Sequence, residues 1–184
     1  MSNRLLSPLF VAQLAPAPPK ASMLNVRQCP PQTARPLVAE WHSRLPTTQR
    51  GPWSLAYVAE YDETAFAVAL WHNPSARTLP QNWLELRRLA VAPDAPHCTA
   101  SMMLGRMRRH IRAHRPDIVH LISYQDEDVH TGTIYRAAGW SIEHRTERRQ
   151  RDRTTSRPNG RMYRTSINGG DADAAAKIRW GIDL

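Results

Sequence analysis

A chain of 184 residues is long enough for one domain with a real core and too short for two ordinary ones. Hydrophobic content of 41% with 22% charged residues suits a soluble globular protein, and no apolar run approaches the ~20 residues a membrane helix needs. Two cysteines, Cys29 and Cys98, form no CxxC pair, which excludes a disulfide framework or a cysteine metal cluster and favours a reducing cytoplasm.

The first 22 residues, "MSNRLLSPLFVAQLAPAPPKAS", pair one arginine with a short apolar run. Pro8 and Gln13 interrupt that run, so the segment reads as a flexible Pro/Ala-rich leader rather than a secretory signal. "MLNVRQC" is a first strand, and Thr33 to His42 form a helix once past Pro30 and Pro31. "WSLAYVAEY" and "TAFAVALWH" are β-rich runs separated by "DE", a hairpin signature. "WLELRRLAV" is a third strand of that group. A helix follows, capped by Thr99 or Ser101, with Ala100, Met103, Leu104, Met107 and Ile111 on one apolar stripe and arginines on the remaining surface. Pro116 ends it. "DIVHLISY" is a buried strand and "TGTIYRAAG" a short helix stopped by Gly139. "WSIEHRTERR" and "RMYRTSI" form a final antiparallel pair joined by the basic loop "RDRTTSRPNG". One domain over residues 23–167 is expected, with 168–184 as a loosely attached tail.

Formal net charge is +9, a field that attracts polyanions and says nothing about fold. Because 23 of the 25 basic residues are arginine, a GC-rich genome is the competing explanation. Distribution favours a nucleic-acid face: between Arg136 and Arg164 nine arginines stand against Glu143, Glu147 and Asp152. Arg145, Arg148, Arg149, Arg151, Arg153 and Arg157 are the expected phosphate contacts.

The densest chemistry lies in "SYQDEDVHTGTIYRAAGW", residues 123–140, where Asp126, Glu127, Asp128 and His130 crowd between a buried strand and a short helix. A metal bound by Asp126, Asp128 and His130 lacks a second ligand cluster, so no metal site is expected. Each residue here has a plain structural role open to it. Asp126 could cap a turn, Ser101 could cap a helix, Tyr135 could rest half-buried on its helix, and Arg88 and His42 could be surface groups.

The element order β-α-β-β-β-α-β-α-β-β resembles the GNAT acyltransferase fold, an α/β (α+β) architecture with a mixed, twisted sheet and helices on both faces. "TIYRAAGW" is similar to the GNAT helix end whose tyrosine often protonates the departing CoA thiolate. The turn that cradles the CoA pyrophosphate in those enzymes is Gly-rich, letting backbone amides and the helix dipole reach the anion. Here it reads "APDAPHCTAS", without glycine, which argues against acetyl-CoA as donor and leaves the donor unassigned.

"LELRRLAV", "AP…TAS", "SYQD" and "GTIYRAAGW" together resemble the Mom DNA-modification proteins of Mu-like phages, and "WHSRLP" is similar to their His-containing loop. The resemblance covers roughly Val38 to Trp140. It implies conversion of DNA adenine to its N6-carbamoylmethyl (acetamido) form, which protects phage DNA from restriction in the host cytoplasm. Carried over by position, it points to His42, Arg88, Ser101, Asp126 and Tyr135, of which His42, Ser101, Asp126 and Tyr135 are expected to be catalytic. Arg88 is expected to bind substrate or donor, together with Ser123, Tyr124 and Thr133 of the dense block. The partners expected are double-stranded or locally opened DNA and a small-molecule group donor, with a homodimer left open and no membrane. Two readings compete: a conventional CoA-dependent N-acetyltransferase of a protein or small amine, and a non-catalytic nucleic-acid-binding protein on the same fold.

Overall fold

The computed structural model describes residues 19–42, 53–147 and 176–184. Strand β1 (Asn25–Gln28), helix α1 (Pro31–Trp41), strands β2 (Leu55–Tyr61), β3 (Thr64–His72) and β4 (Trp83–Val91), helix α2 (Thr99–His114), strand β5 (His120–Asp126), helix α3 (Thr133–Ala137) and strands β6 (Ser141–Thr146) and β7 (Lys177–Asp183) follow in chain order. Through β6 they follow the expected order, the last strand falls in the segment expected to be a tail, and together they build one seven-stranded sheet, β1-β2-β3-β4-β5-β7-β6. β4 and β5 pair in parallel, and the other described neighbours are antiparallel.

Local sequence explains most boundaries. Asp62 and Glu63 both take positive φ, 47° and 62°, the backbone a two-residue hairpin needs to match strand twist. Helix α1 begins at Pro31, two residues earlier than expected, because proline costs nothing at the first helical position, where the N–H has no partner anyway. Met103, Leu104, Met107 and Ile111 of α2 are all buried, as their spacing requires. Gly139 takes φ 79° just past α3, the left-handed stop that glycine supplies.

Two apolar layers sandwich the sheet. One unites the α2 stripe and Tyr135 with Tyr57, Trp71, Leu84, Leu86 and Trp180. The other unites Ala34 and Val38 of α1 with Val58, Val68, Leu70 and Ala90. A bulge decides which layer β4 residues join. Leu70 pairs with Arg88 while Trp71 pairs with Leu86, so Arg87 is the extra residue and the alternation flips beyond it. Leu84 and Leu86 face α2, yet Ala90 faces α1, and Arg88, two residues earlier, shares that α1 face.

Two expectations are corrected. The helix cap at Thr99 or Ser101 is not formed. Cys98 is the N-cap residue and caps with no side chain, while the Thr99 and Ser101 hydroxyls donate to the Pro96 and Cys98 carbonyls at 2.6 and 3.1 Å. The tail read as loosely attached contains β7, which inserts between β5 and β6. Ile178 and Trp180 are buried there, and their apolar burial, together with ladder bonds to both neighbours, offsets the cost of ordering the strand. At the other end, Arg106 donates to the carbonyls of Leu24 and Ser22, tying residues just before β1 onto α2. The expected strand "RMYRTSI" and most of the leader lie outside the described residues.

Candidate active site

The parallel pairing of β4 with β5 runs from Trp83–His120 to Leu86–Ser123 and stops. Both strands continue, β4 held by β3 to Val91 and β5 by β7 to Asp126. Two strands bonded only to outer neighbours must diverge, so a cleft opens in the middle of the sheet. The N-terminus of α2 and the start of α3 stand at the same end, because each helix follows directly on one of these strands. Such a junction is where open α/β sheets place ligands.

On the α2–α3 side the cleft floor is a chain of hydroxyls. Ser123 Oγ donates to the Leu86 carbonyl at 3.1 Å, at the last residue pair before the strands part. With that proton committed, Ser123 Oγ accepts from the Tyr135 hydroxyl at 2.8 Å. Burial raises the Tyr135 hydroxyl above its ordinary pKa, against the opposing pull of its Ser123 bond. Tyr135 therefore holds its proton at neutral pH and works as a donor. Its ring stacks on Trp180 at 5.3 Å and 14° and leans on Trp140 at 5.7 Å.

Behind that ring lies support that sequence reasoning missed. Trp180 Nε1 donates to Gln125 Oε1 at 2.7 Å, and Gln125 Nε2 donates to the His130 carbonyl. Gly132, at φ 73°, passes so close that a Cβ would overlap both Gln125 Oε1 and the Trp180 ring. The loop 127–132 is thereby pinned, and Thr133 starts α3 with its hydroxyl 2.8 Å from that of Thr131.

The α1 side is built differently. Since Ser123 and Gln125 face α3, alternation sends Tyr124 and Asp126 to the opposite face, the face Arg88 shares. His42 closes α1, its N–H bonded to the Val38 carbonyl at 3.0 Å. Burial is the main cause that lowers His42 to a pKa of about 4, helped by the charges of Arg88 and His130. Burial, then Arg87, also lowers Arg88, whose guanidinium donates to the Arg87 carbonyl at 2.7 Å. Arg88 thus stands close enough to His42 to favour its neutral form. Asp126 anchors the turn that follows: a carboxylate oxygen accepts the Asp128 N–H at 3.1 Å, and its carbonyl accepts from His130 at 3.1 Å.

The residues singled out from sequence therefore divide. Ser101, Ser123, Thr133 and Tyr135 lie on the α2–α3 side, and His42, Arg88, Tyr124 and Asp126 on the α1 side. The sheet separates the two groups except at the cleft, where strands no longer pair. Of the expected phosphate contacts, Arg145 is described, paired with Glu127 at 2.7 Å. Arg148, Arg149, Arg151, Arg153 and Arg157 lie outside the described residues. Their segment leaves from Thr146 and returns at Lys177; Thr146 pairs with Lys177, and Lys177 pairs in turn with Asp126 at the cleft end. Among the described residues no three His, Cys, Asp or Glu side chains converge as metal ligands, and no helix is long and apolar enough to cross a membrane.

Acetyl-CoA is the donor the fold implies, and the turn before α2 is the test of fit. Cys98 adopts φ 68°, ψ 7°, the left-handed backbone that glycine supplies without strain. The backbone shape is that of a glycine turn, but Cys98 and His97 put side chains there, Sγ 3.0 Å from Nδ1, where glycine would leave room for an anion. The turn fits a backbone cradle for pyrophosphate poorly.

Helices on both faces of a sheet that splits at β4 and β5 define the acyltransferase class of fold. An acetyltransferase from Bacillus subtilis in complex with CoA superposes with TM-score 0.57 at 11% identity, covering 88% of this chain and 99% of that one. The ribosomal-protein-S18-alanine N-acetyltransferase of Escherichia coli gives 0.54 at 15%, covering 88% and 94%. A GNAT family acetyltransferase from Elizabethkingia anophelis with acetyl-CoA bound gives 0.54 at 14%, covering 88% and 99%. At these identities the likeness establishes the fold alone. The Mom protein family matches residues 23–177, and the chain belongs to that family. No curated protein is significantly similar in sequence.

Proposed function

We propose that this protein is a DNA-modifying transferase that converts adenine in phage or prophage DNA to N6-carbamoylmethyl (acetamido) adenine, shielding that DNA from restriction. Membership of the Mom family over residues 23–177 carries the reading, and the two-sided cleft supports it. The adenine N6 amine is a weak nucleophile, its lone pair being delocalised into the ring. A base beside it and exclusion of water favour its attack on an electrophilic carbon. Asp126 or His42 takes the amine proton from the α1 side. Tyr135, still protonated, turns its hydroxyl away from Ser123 to donate a hydrogen bond to the leaving group from the α2–α3 side. Arg88 holds negative charge on the donor, and Ser101, Ser123 and Thr133 line the donor's path.

The target nitrogen is inside the duplex, so the base is extruded or met single-stranded. Arg145, Arg148, Arg149, Arg151, Arg153 and Arg157 grip phosphates on either side, which positions the duplex without reading its sequence. Both ends of the segment that carries them are pinned beside Asp126, which favours delivery of DNA to this cleft.

Mass spectrometry of nucleosides from the DNA of cells expressing the protein is the test. A deoxyadenosine heavier by one carbamoylmethyl group is expected, with cytosine and guanine unchanged. Unmodified nucleosides from folded, well-expressed protein would sink the reading. The kept left-handed turn at Cys98 favours one alternative, a CoA-dependent N-acetyltransferase. Tight, stoichiometric acetyl-CoA binding by calorimetry would establish it in place of the first.

A further inference from the structure

Tyr124 has no place in the packing described so far. Its neighbours on β5 are committed inward, Ser123 to Tyr135 and Gln125 to Trp180, so Tyr124 projects from the other face of the sheet. On that face α1 packs over β2, β3 and β4, and among the described residues no helix lies over β5, β7 and β6. Buried tyrosines elsewhere bond their hydroxyls, Tyr57 to His110 and Tyr135 to Ser123. The half-buried Tyr124 has, among the described residues, neither a hydrogen-bond partner for its hydroxyl nor a ring stacked on it. Its cross-strand neighbour is Arg179, but that guanidinium is drawn away to Glu143 at 3.2 Å and lies over Trp83 at 5.8 Å. What remains is a flat ring standing beside a carboxylate, Asp126, on a face that also carries Arg88 and His42.

An aromatic ring open on one side and bordered by hydrogen-bonding groups suits a flat heterocycle. A carboxylate at its edge selects one bearing an exocyclic amine, which donates where a carbonyl could not. We propose that Tyr124 is the stacking platform for the extruded adenine, which lies on the α1 face with its N6 amine turned toward Asp126. This rests on the adenine-modification reading and deepens it, assigning the base to the α1 side and leaving the α2–α3 side to the donor.

Equilibrium binding to the purified full chain separates the two ideas, because it needs no turnover. The probes are a short single-stranded oligodeoxyadenylate and an abasic strand of equal length. Stacking contributes about 1–3 kcal/mol per base, so Tyr124→Leu should bind the oligodeoxyadenylate about 5- to 150-fold more weakly. Tyr124→Phe should match the wild type, and the abasic strand should bind all three alike. The proposal is overturned if Tyr124→Leu binds oligodeoxyadenylate as tightly as wild type. It is equally overturned if Tyr124→Phe loses as much, or if the loss is the same on the abasic strand. Should Tyr124→Leu fail to fold, Tyr124→Trp decides, since a larger ring should bind at least as tightly and weaker binding rejects stacking. A wild-type protein that leaves adenine unmodified in cells but shows this pattern would reject the reaction and keep the platform.

Discussion

Polar groups on the α2–α3 side of the cleft are neutral and bond to one another, whereas those on the α1 side are ionisable. Leu86, Ser123 and Tyr135 form a run of neutral hydrogen bonds, backed by Trp180 and Gln125. Across the sheet, burial and the neighbouring Arg88 hold His42 toward its neutral form, and burial lowers Arg88 as well. A satisfied network gains rigidity from low dielectric, while the charged form of a group is costly to bury there. The first arrangement holds a shape, and the second holds groups whose proton state answers to what lies beside them. Substitutions on the two sides should therefore fail in different ways.

The sharpest contrast comes from Asp126→Asn, which keeps size and the turn bond to Asp128 but removes the charge and the base. Modified deoxyadenosine should fall by about 100- to 10,000-fold, the range for loss of a general base. Stability to urea should stay within roughly 0.5 kcal/mol. Unchanged modification would show that the α1 side does no proton transfer.

Trp180→Ala should do the reverse. It empties a fully buried site, strips the stack from Tyr135 and orphans Gln125. Urea unfolding should report a loss of about 3–5 kcal/mol. A loss below roughly 1 kcal/mol would mean β7 is not the brace described.

The histidine offers a finer probe. His42 folds with its pKa lowered from 6.5 to about 4, so the native state resists a proton that the unfolded chain accepts. Its contribution is complete above pH 6.5 and is lost as pH falls toward 4. Relative to His42→Gln, the wild type should lose stability across that window and run parallel to it at higher pH. Parallel curves throughout would place His42 in water.

The smallest effect is expected at Cys98. Glycine there removes a left-handed side chain worth about 1–2 kcal/mol while adding unfolded-state freedom worth about 0.5–1 kcal/mol. Cys98→Gly should stabilise by about 0.5 kcal/mol in thermal unfolding. Destabilisation would mean that the thiol contributes a contact of its own.

This division into sides could not be read from the chain, although its elements could. The hairpin and β4 were legible as apolar, β-rich runs bounded by turn residues, and the α2 stripe as a period near 3.6. Which side Arg88 takes depends on the bulge at Arg87, a cross-strand register that no local pattern encodes. Strand β7 carried a usable signal in Ile178, Trp180 and Ile182, which alternate with Lys177, Arg179, Gly181 and Asp183. The charges and the glycine between them made it read as a polar tail. The absence of glycine before α2 was visible, but not that Cys98 would adopt glycine's backbone.

Strand β7 also bears on how the molecule is made. During synthesis every residue of β5 and β6 leaves the ribosome before Lys177, yet neither strand can reach the other until β7 has entered between them. A nascent chain cut short before that point has all the proposed reactive side chains and no backing for Tyr135. Domains complete themselves only as their last segments emerge, and here that segment braces the reactive cleft. The proposed activity therefore waits on the synthesis of β7, and a product truncated before Lys177 should lack it.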